Sequence, residues 1–73
     1  MELSTEEAGK ALGLSAQTIR DHIAADRLRA RKHGFRGLLK IQVDDLHAFA
    51  NDFNYVIDAD FLATLTLAKQ ISH

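Results

Sequence analysis

The stretch STEEAGKALGLSAQTIRDHIAA, residues 4–25, contains two helix starts with one helix stop between them. Its first four residues have the form of a capping box, in which the Ser4 hydroxyl accepts from the Glu7 amide and the Glu7 carboxylate accepts from the Ser4 amide. Gly13 is the residue type that ends a helix in the left-handed conformation. Ser15 is a second helix N-cap. The stretch therefore predicts two short helices joined by a tight turn, which is a helix-turn-helix pattern.

The second helix, over residues 16–25, has one apolar and one polar face. Ile19 and Ile23 are four residues apart, so we expect both to point into the core. The polar face suits base edges: glutamine pairs with adenine, arginine with guanine, and hydroxyls bind phosphate. Asp21 would orient Arg20 or accept from a cytosine amine. The alternative is that this face is only the solvated side of a structural helix. The candidate DNA-binding residues here are Ser15, Gln17, Thr18, Arg20, Asp21 and His22.

Residues 28–43 change from helical to strand periodicity. Apolar side chains alternate there with charged or polar ones, at Leu28, Ala30, Leu39, Ile41 and Val43. The tip of this hairpin, residues 32–37, contains two glycines that can supply positive φ angles. Phe35 at the tip either acts as a stacking wedge or packs back on the hairpin. The candidate DNA-backbone contacts are Arg27, Arg29, Arg31, Lys32, His33, Arg36 and Lys40, and the alternative is a soluble edge hairpin protected by its cations.

Two more helices are expected after the hairpin. Asp44 or Asp45 can cap a third helix over residues 46–50, and Asp58 can cap a last helix over about residues 59–71. The last helix either enlarges the core of the same chain or meets a second copy, and we favour self-association. Its apolar residues at helical spacing are Phe61, Leu62, Leu65, Ala68 and Ile71.

The charge of the chain is unevenly distributed. Its net charge is −1, but residues 20–40 carry seven cations against two carboxylates, a net +5. Residues 1–19 carry one cation against three carboxylates, and residues 41–73 one against five, so both ends are acidic. A polyanion responds to the local field rather than to the total, and the middle segment is therefore where we expect one to bind. A solvated surface of mixed charge is the alternative.

Composition excludes several classes of protein. The chain has 73 residues, which suits one domain, and it has no cysteine, so a disulfide framework and thiolate metal sites are excluded. It has no apolar run long enough for a transmembrane helix and no signal-peptide pattern, so we expect a cytoplasmic, nucleoid-associated protein without a membrane partner. The four histidines are scattered and no nucleophile has a matching His and Asp arrangement. We therefore expect no metal, no cofactor and no enzymatic activity.

The chain contains STEEA at 4–8, LGLS at 12–15, TI at 18–19, LRA at 28–30 and IQVDDL at 41–46, in the order helix, turn, helix, basic hairpin and helix. These motifs in this order resemble the excisionase and MerR-like winged helix-turn-helix DNA-binding family. The resemblance covers about residues 3–50 and implies that the second helix enters the major groove while the hairpin, or wing, touches the backbone or the minor groove. The family usually has a glycine where this chain has Asp26-Arg27, so Asp26 would take the left-handed conformation.

The predicted fold is mainly α with a small β-hairpin: a winged helix-turn-helix over residues 1–52, and a C-terminal extension with a helix over residues 53–73 in the same compact unit. The resemblance implies sequence-specific binding of double-stranded DNA by a small regulatory or architectural protein. It would be an excisionase-type recombination directionality factor or a MerR-like transcriptional regulator. The alternatives are a winged-helix module for protein interaction and the DNA-recognition domain of a phage terminase small subunit. A second copy, as a homodimer or a cooperative oligomer on DNA, and an integrase or another protein are further partners to test.

Overall fold

The computed structural model describes residues 1–34 and 37–71, apart from the side chains of His33 and Ile71. Within these residues the chain forms four helices and a small sheet, which confirms the predicted fold class of a winged helix-turn-helix with a C-terminal helix. The elements in chain order are β1 (Glu2–Leu3), α1 (Thr5–Leu12), α2 (Ala16–Ala24), β2 (Arg31–His33), β3 (Leu38–Gln42), α3 (Val43–Asp52) and α4 (Ala59–Ile71).

Helix α1 begins and ends at the residues that the sequence indicated. The amide of Glu7 donates to Ser4 Oγ at 3.1 Å, and the amide of Ser4 donates to Glu7 Oε1 at 2.8 Å, so the predicted capping box is confirmed. Gly13 ends the helix with φ 71°, which confirms its left-handed conformation. Ser15 then caps α2 by accepting from the amide of Thr18 at 3.1 Å. Local hydrogen bonds therefore define both helices of the helix-turn-helix.

Asp26, the second residue after α2, lies in the left-handed region, with φ 60°. The sequence predicted this left-handed conformation, because the family that it resembles usually has glycine here. The amides of Arg27 and Leu28 both donate to the His22 carbonyl, at 2.9 and 3.3 Å, so the chain turns sharply at this point. Leu28 is buried immediately afterwards. The strained residue therefore directs the chain from α2 into the hairpin.

The sheet has three antiparallel strands in the order β1-β3-β2. Strand β1 pairs Leu3 with Ile41, and the sequence analysis missed this strand. Two predicted boundaries of the hairpin strands were also wrong. Strand β2 begins at Arg31, after the predicted Leu28 and Ala30, and β3 ends at Gln42 because Val43 is already helical.

Helix α3 starts without the predicted aspartate cap. Its N-cap residue is Gln42, which makes no side-chain capping bond, and Asp44 and Asp45 lie in the first turn instead. The amide of Val43 donates to the Met1 carbonyl at 3.1 Å, so β3 continues directly into α3 and leaves no turn residue for a cap. The two carboxylates still lie where the helix dipole favours negative charge.

The core joins the sheet to the helices. Its largest fully buried side chains are Leu3 of β1, Ile19 of α2, Ile41 of β3 and Leu46 of α3. Ile19 is 0% exposed, which confirms its predicted inward orientation, and Ile23 packs partly buried against the same cluster. Because one face of α2 is buried in this way, its opposite face must point to solvent.

Gly9 allows α1 to approach the turn before α2. A Cβ atom at this position would lie 2.5 Å from the carbonyl oxygen of Leu14, which is backbone and cannot move aside cheaply. The Gly9 carbonyl also accepts from the Leu14 amide at 2.8 Å. The absence of a side chain at position 9 therefore sets the spacing between the two helices.

Helix α4 packs on α1 of the same chain. Asp58 Oδ1 caps it by accepting from the Phe61 amide at 3.0 Å, as predicted, and the Asp58 amide donates to the Ala11 carbonyl at 2.8 Å. Leu62 is 8% exposed, while Phe61 and Leu65 are partly buried against the core. The intramolecular alternative therefore accounts for three of the five residues assigned to self-association. Ala68 is exposed, and the side chain of Ile71 lies outside the described residues.

An ion pair connects the capping box to α4. Lys69 Nζ lies 3.3 Å from Glu7 Oε1, the oxygen that also accepts from Ser4. Burial raises the pKa of Glu7, but the hydrogen bond from the Ser4 amide and the interaction with Lys69 outweigh it, so the pKa of Glu7 lies below its ordinary value of 4.5. The ionised form of Glu7 thus stabilises both the start of α1 and the docking of α4.

We expect Gly9→Ala to destabilise the fold. Overpacking against backbone costs about 1–3 kcal/mol, whereas the higher helix propensity of alanine returns only about 1 kcal/mol. Urea unfolding measures the difference, and Lys10→Ala is the control because Lys10 is the exposed neighbour in the same helix. A Gly9→Ala protein as stable as the wild type would show that the close approach of α1 to the turn is not required.

We expect acid to weaken the fold partly through Glu7. Its folded-state pKa is lowered, so its contribution is present above the unfolded-state pKa and is lost as the pH falls through the folded-state value. Below about pH 4.5, the free energy of unfolding of Glu7→Gln should therefore fall less steeply with decreasing pH than that of the wild type.

The ion pair can be tested separately from the capping box. Lys69→Met should raise the pKa of Glu7, as measured by NMR titration, because it removes the cation at 3.3 Å. Lys10→Met removes an equal charge from the exposed side of α1 and should leave that pKa almost unchanged. Equal shifts in the two variants would contradict the ion pair.

Candidate nucleic-acid interface

The exposed face of α2 carries a connected set of polar side chains. The Gln17 amide donates to Asp21 Oδ1 at 3.0 Å, and Gln17 Oε1 accepts from Arg20 Nη1 at 3.5 Å. The hydroxyls of Ser15 and Thr18 lie 2.9 Å apart in a hydrogen bond. These bonds are exposed to solvent, so each side chain can exchange its partner for a base edge or a phosphate at small cost. The expected link from Asp21 to Arg20 runs through Gln17.

His22 differs from the other candidates on α2 because its ring packs against the protein. The ring centroid lies 4.9 Å from that of Phe49 in an edge-to-face arrangement, and 6.2 and 6.3 Å from those of Tyr55 and Phe53. His22 Nδ1 accepts from Arg27 Nε at 2.9 Å. These contacts join α2 to α3 and to the chain beyond it, and they give His22 a packing role.

The hairpin places two cations directly opposite each other. Arg31 of β2 pairs with Lys40 of β3, and Lys32 pairs with Leu39. Residues opposite each other in an antiparallel pair project from the same face of the sheet, so Arg31 and Lys40 project from one face. Like charges in this position are unfavourable for the isolated hairpin, and an anion between or above them relieves the repulsion.

A cleft of about 500 Å³ connects α2 with the hairpin. Residues 4–6 at the start of α1, Arg20 of α2 and residues 37–40 of the hairpin line it. Arg20 and Lys40, which the sequence assigned to base and backbone contacts separately, therefore share one cavity. Neither makes an ion pair with any residue of 1–34 or 37–71.

Arg27 and Arg29 lie elsewhere. Both line a cleft of about 320 Å³ whose other wall includes Asp45 and Asp52 of α3. Neither Lys40 nor Arg20 lines this second cleft. Arg36 and the side chain of His33 lie outside the described residues.

Metal-ligand clusters and membrane-spanning helices are both absent from the described part of the chain. Among residues 1–34 and 37–71 no three side chains of His, Cys, Asp or Glu come together as metal ligands would. None of the helices in these ranges has the length and apolar character needed to cross a membrane.

Comparison with known proteins identifies the domain. The pattern of a helix-turn-helix domain family, which is excisionase-like, matches residues 2–53. No curated protein and no solved structure matches the chain. The matched residues include both helices of the helix-turn-helix, the hairpin and α3, and they make up more than half of the chain. The protein therefore belongs to this family of helix-turn-helix domains.

Proposed function

We propose that the chain binds double-stranded DNA sequence-specifically, with α2 in the major groove and the hairpin on the adjacent backbone. The observation that carries the proposal is the shared cleft of Arg20 and Lys40, because it joins a base-reading helix to a phosphate-contacting hairpin. A helix fits the major groove, and contacts on the flanking backbone fix its register there.

The amphipathic character of α2 supports the orientation. Ile19 holds one face in the core, and the opposite face offers Gln17 and Arg20, whose amide and guanidinium groups can each make two hydrogen bonds to a purine. Ser15 and Thr18 lie at the start of α2, where free amides and hydroxyls suit a phosphate. Asp21 holds Gln17 at 3.0 Å and orients its amide.

The cellular role we propose is that of a small regulatory or architectural protein. An excisionase-type factor would occupy several adjacent sites and bend the DNA, whereas a MerR-like regulator would bind paired half-sites as a dimer. A terminase small subunit would use the same domain to recognise packaging DNA. Binding curves on single and tandem copies of a selected site separate cooperative occupation of adjacent sites from binding as a preformed dimer.

A protein-interaction module is the second candidate function. The observation that favours it is a pair of exposed apolar side chains beyond α3: Val56 is 87% exposed and Leu67, on α4, is 60% exposed. This candidate requires that the chain does not bind duplex DNA even at about 50 mM salt, where non-specific electrostatic binding is strong.

Binding to a short mixed-sequence duplex, followed by fluorescence anisotropy, tests the proposal. We expect log affinity to fall with log salt with a slope of about −3 to −5, because three to five phosphates are neutralised. Arg31→Ala should reduce the size of the slope by about one, since it removes one phosphate contact. Arg20→Ala should cost about 1–3 kcal/mol on a selected site because a guanine contact is lost.

Lys10→Ala is the matched control, because Lys10 is an exposed cation on α1 that lines none of the clefts described above. It should leave both the slope and the affinity close to those of the wild type. An affinity that does not change with salt concentration would contradict the proposed surface. Equal effects of Arg31→Ala and Lys10→Ala on the slope and the affinity would contradict it as well.

A further inference from the structure

The start of α1 contributes groups to the cleft that neither the sequence analysis nor the family match assigns. Residues 4–6 form one wall of the cavity, facing Arg20 and residues 37–40. Helix α1 has eight residues and an intact capping box, so its amino end is well defined. The positive end of the helix dipole therefore borders the cavity that both cations line.

Two backbone amides at this end are free. The capping box uses the amide of Glu7, and the amide of Ala8 donates to the Ser4 carbonyl at 2.9 Å. The amides of Thr5 and Glu6 find no acceptor in the part of the chain that the structure describes. Free amides at a helix start are ready donors to a phosphate oxygen.

Thr5 supplies an independent observation that points to a ligand. The residue is only 9% exposed, and its hydroxyl makes no hydrogen bond with any described residue. Among the described residues no fully buried side-chain oxygen or nitrogen lacks a partner, so the Thr5 hydroxyl must reach open space. The cleft is the cavity that Thr5 lines. A hydroxyl without a protein partner on a residue that lines a cleft can donate to an oxygen anion bound there.

Glu6 opposes the cations in the same cleft. It is exposed, lines the cavity and has no ion-pair partner among the described residues. Its carboxylate repels a phosphate that Arg20 and Lys40 attract. The cleft thus contains two cations, a helix amino end and a hydroxyl donor against one carboxylate.

We propose that this cleft binds one backbone phosphate of duplex DNA, which accepts from Thr5 and the α1 amides and lies between Arg20 and Lys40. Glu6 limits the affinity by repulsion. The proposal rests on the proposed function, because it names a phosphate subsite of that DNA surface. It adds a contact on α1, where no binding residue was predicted from the sequence.

Glu6→Gln tests the repulsion, because it removes the negative charge from an exposed position and leaves the core untouched. Binding to the mixed-sequence duplex should become several-fold tighter at about 50 mM salt, with the gain shrinking at about 200 mM as screening increases. Asp60→Asn is the matched control, because Asp60 is also an exposed carboxylate in the first turn of a helix but does not line the cleft. It should change the affinity much less.

Thr5→Val and Thr5→Ser test the hydroxyl. Valine keeps the volume and removes the donor, so we expect roughly tenfold weaker binding, while serine keeps the donor and should stay within about twofold of the wild type. The salt slope of Thr5→Val should match that of the wild type because no charge is removed, whereas Lys40→Gln should reduce it by about one. Urea unfolding of each variant separates lost binding from lost folding.

The outcomes distinguish the subsite from the function. The subsite would be overturned if Glu6→Gln and Asp60→Asn bound with equal affinity, and Thr5→Val and Thr5→Ser did too, while the wild type still bound the duplex. DNA binding itself would then stand. If Thr5→Val does not fold, the comparison of Glu6→Gln with Asp60→Asn decides. Failure of the folded wild type to bind the duplex at about 50 mM salt would overturn the proposed function together with the subsite.

Discussion

Helix α1 lies so close to the turn at Leu14 that position 9 has no room for a side chain. A side chain at position 9 would meet the Leu14 carbonyl at 2.5 Å, and the left-handed Gly13 then reverses the chain so that Ser15 can cap α2. Once α2 has this direction, Ile19 is buried against the sheet and the third helix. The close packing of the backbone at Gly9 and Leu14, before α2 begins, therefore directs the polar face of α2 toward solvent.

The same geometry separates the charges of the chain. Arg20 of α2 and Lys40 of the hairpin line the cleft at the start of α1, while the carboxylates of Asp44, Asp45 and Asp52 belong to α3. A chain with a net charge of −1 can thus present a locally positive surface to a polyanion. Arg27 and Arg29 are exceptions, since they share a cleft with two of these carboxylates.

Local signals predicted the helices well, because caps and left-handed glycines act within a few residues of the chain. The capping box at Ser4, the stop at Gly13 and the cap at Asp58 were all visible in this way. Strand β1 was not, because two residues show no periodicity and the strand exists only through its pairing with Ile41. The start of α3 was misplaced for a similar reason: the pairing of Met1 with Val43 decided it.

The candidate site was predictable in part. Helical spacing separated Gln17 and Arg20 from the buried Ile19, but His22 was grouped with them although it precedes Ile23 by one residue and borders the apolar face. Its position depends on aromatic rings from the segment 49–55, which no local pattern reveals. The cleft at Thr5 likewise requires α1, α2 and β3 to be placed together.

The most direct test of the central claim is an amide NMR spectrum of the labelled chain titrated with a short duplex at low salt. The account predicts that the largest shifts fall on residues 5–6, 15–21 and 38–40, with little change along the exposed side of α4 at Leu67. Shifts concentrated on α4, or spread evenly over the chain, would show that the surface joining α2 to the hairpin is not where this protein meets DNA.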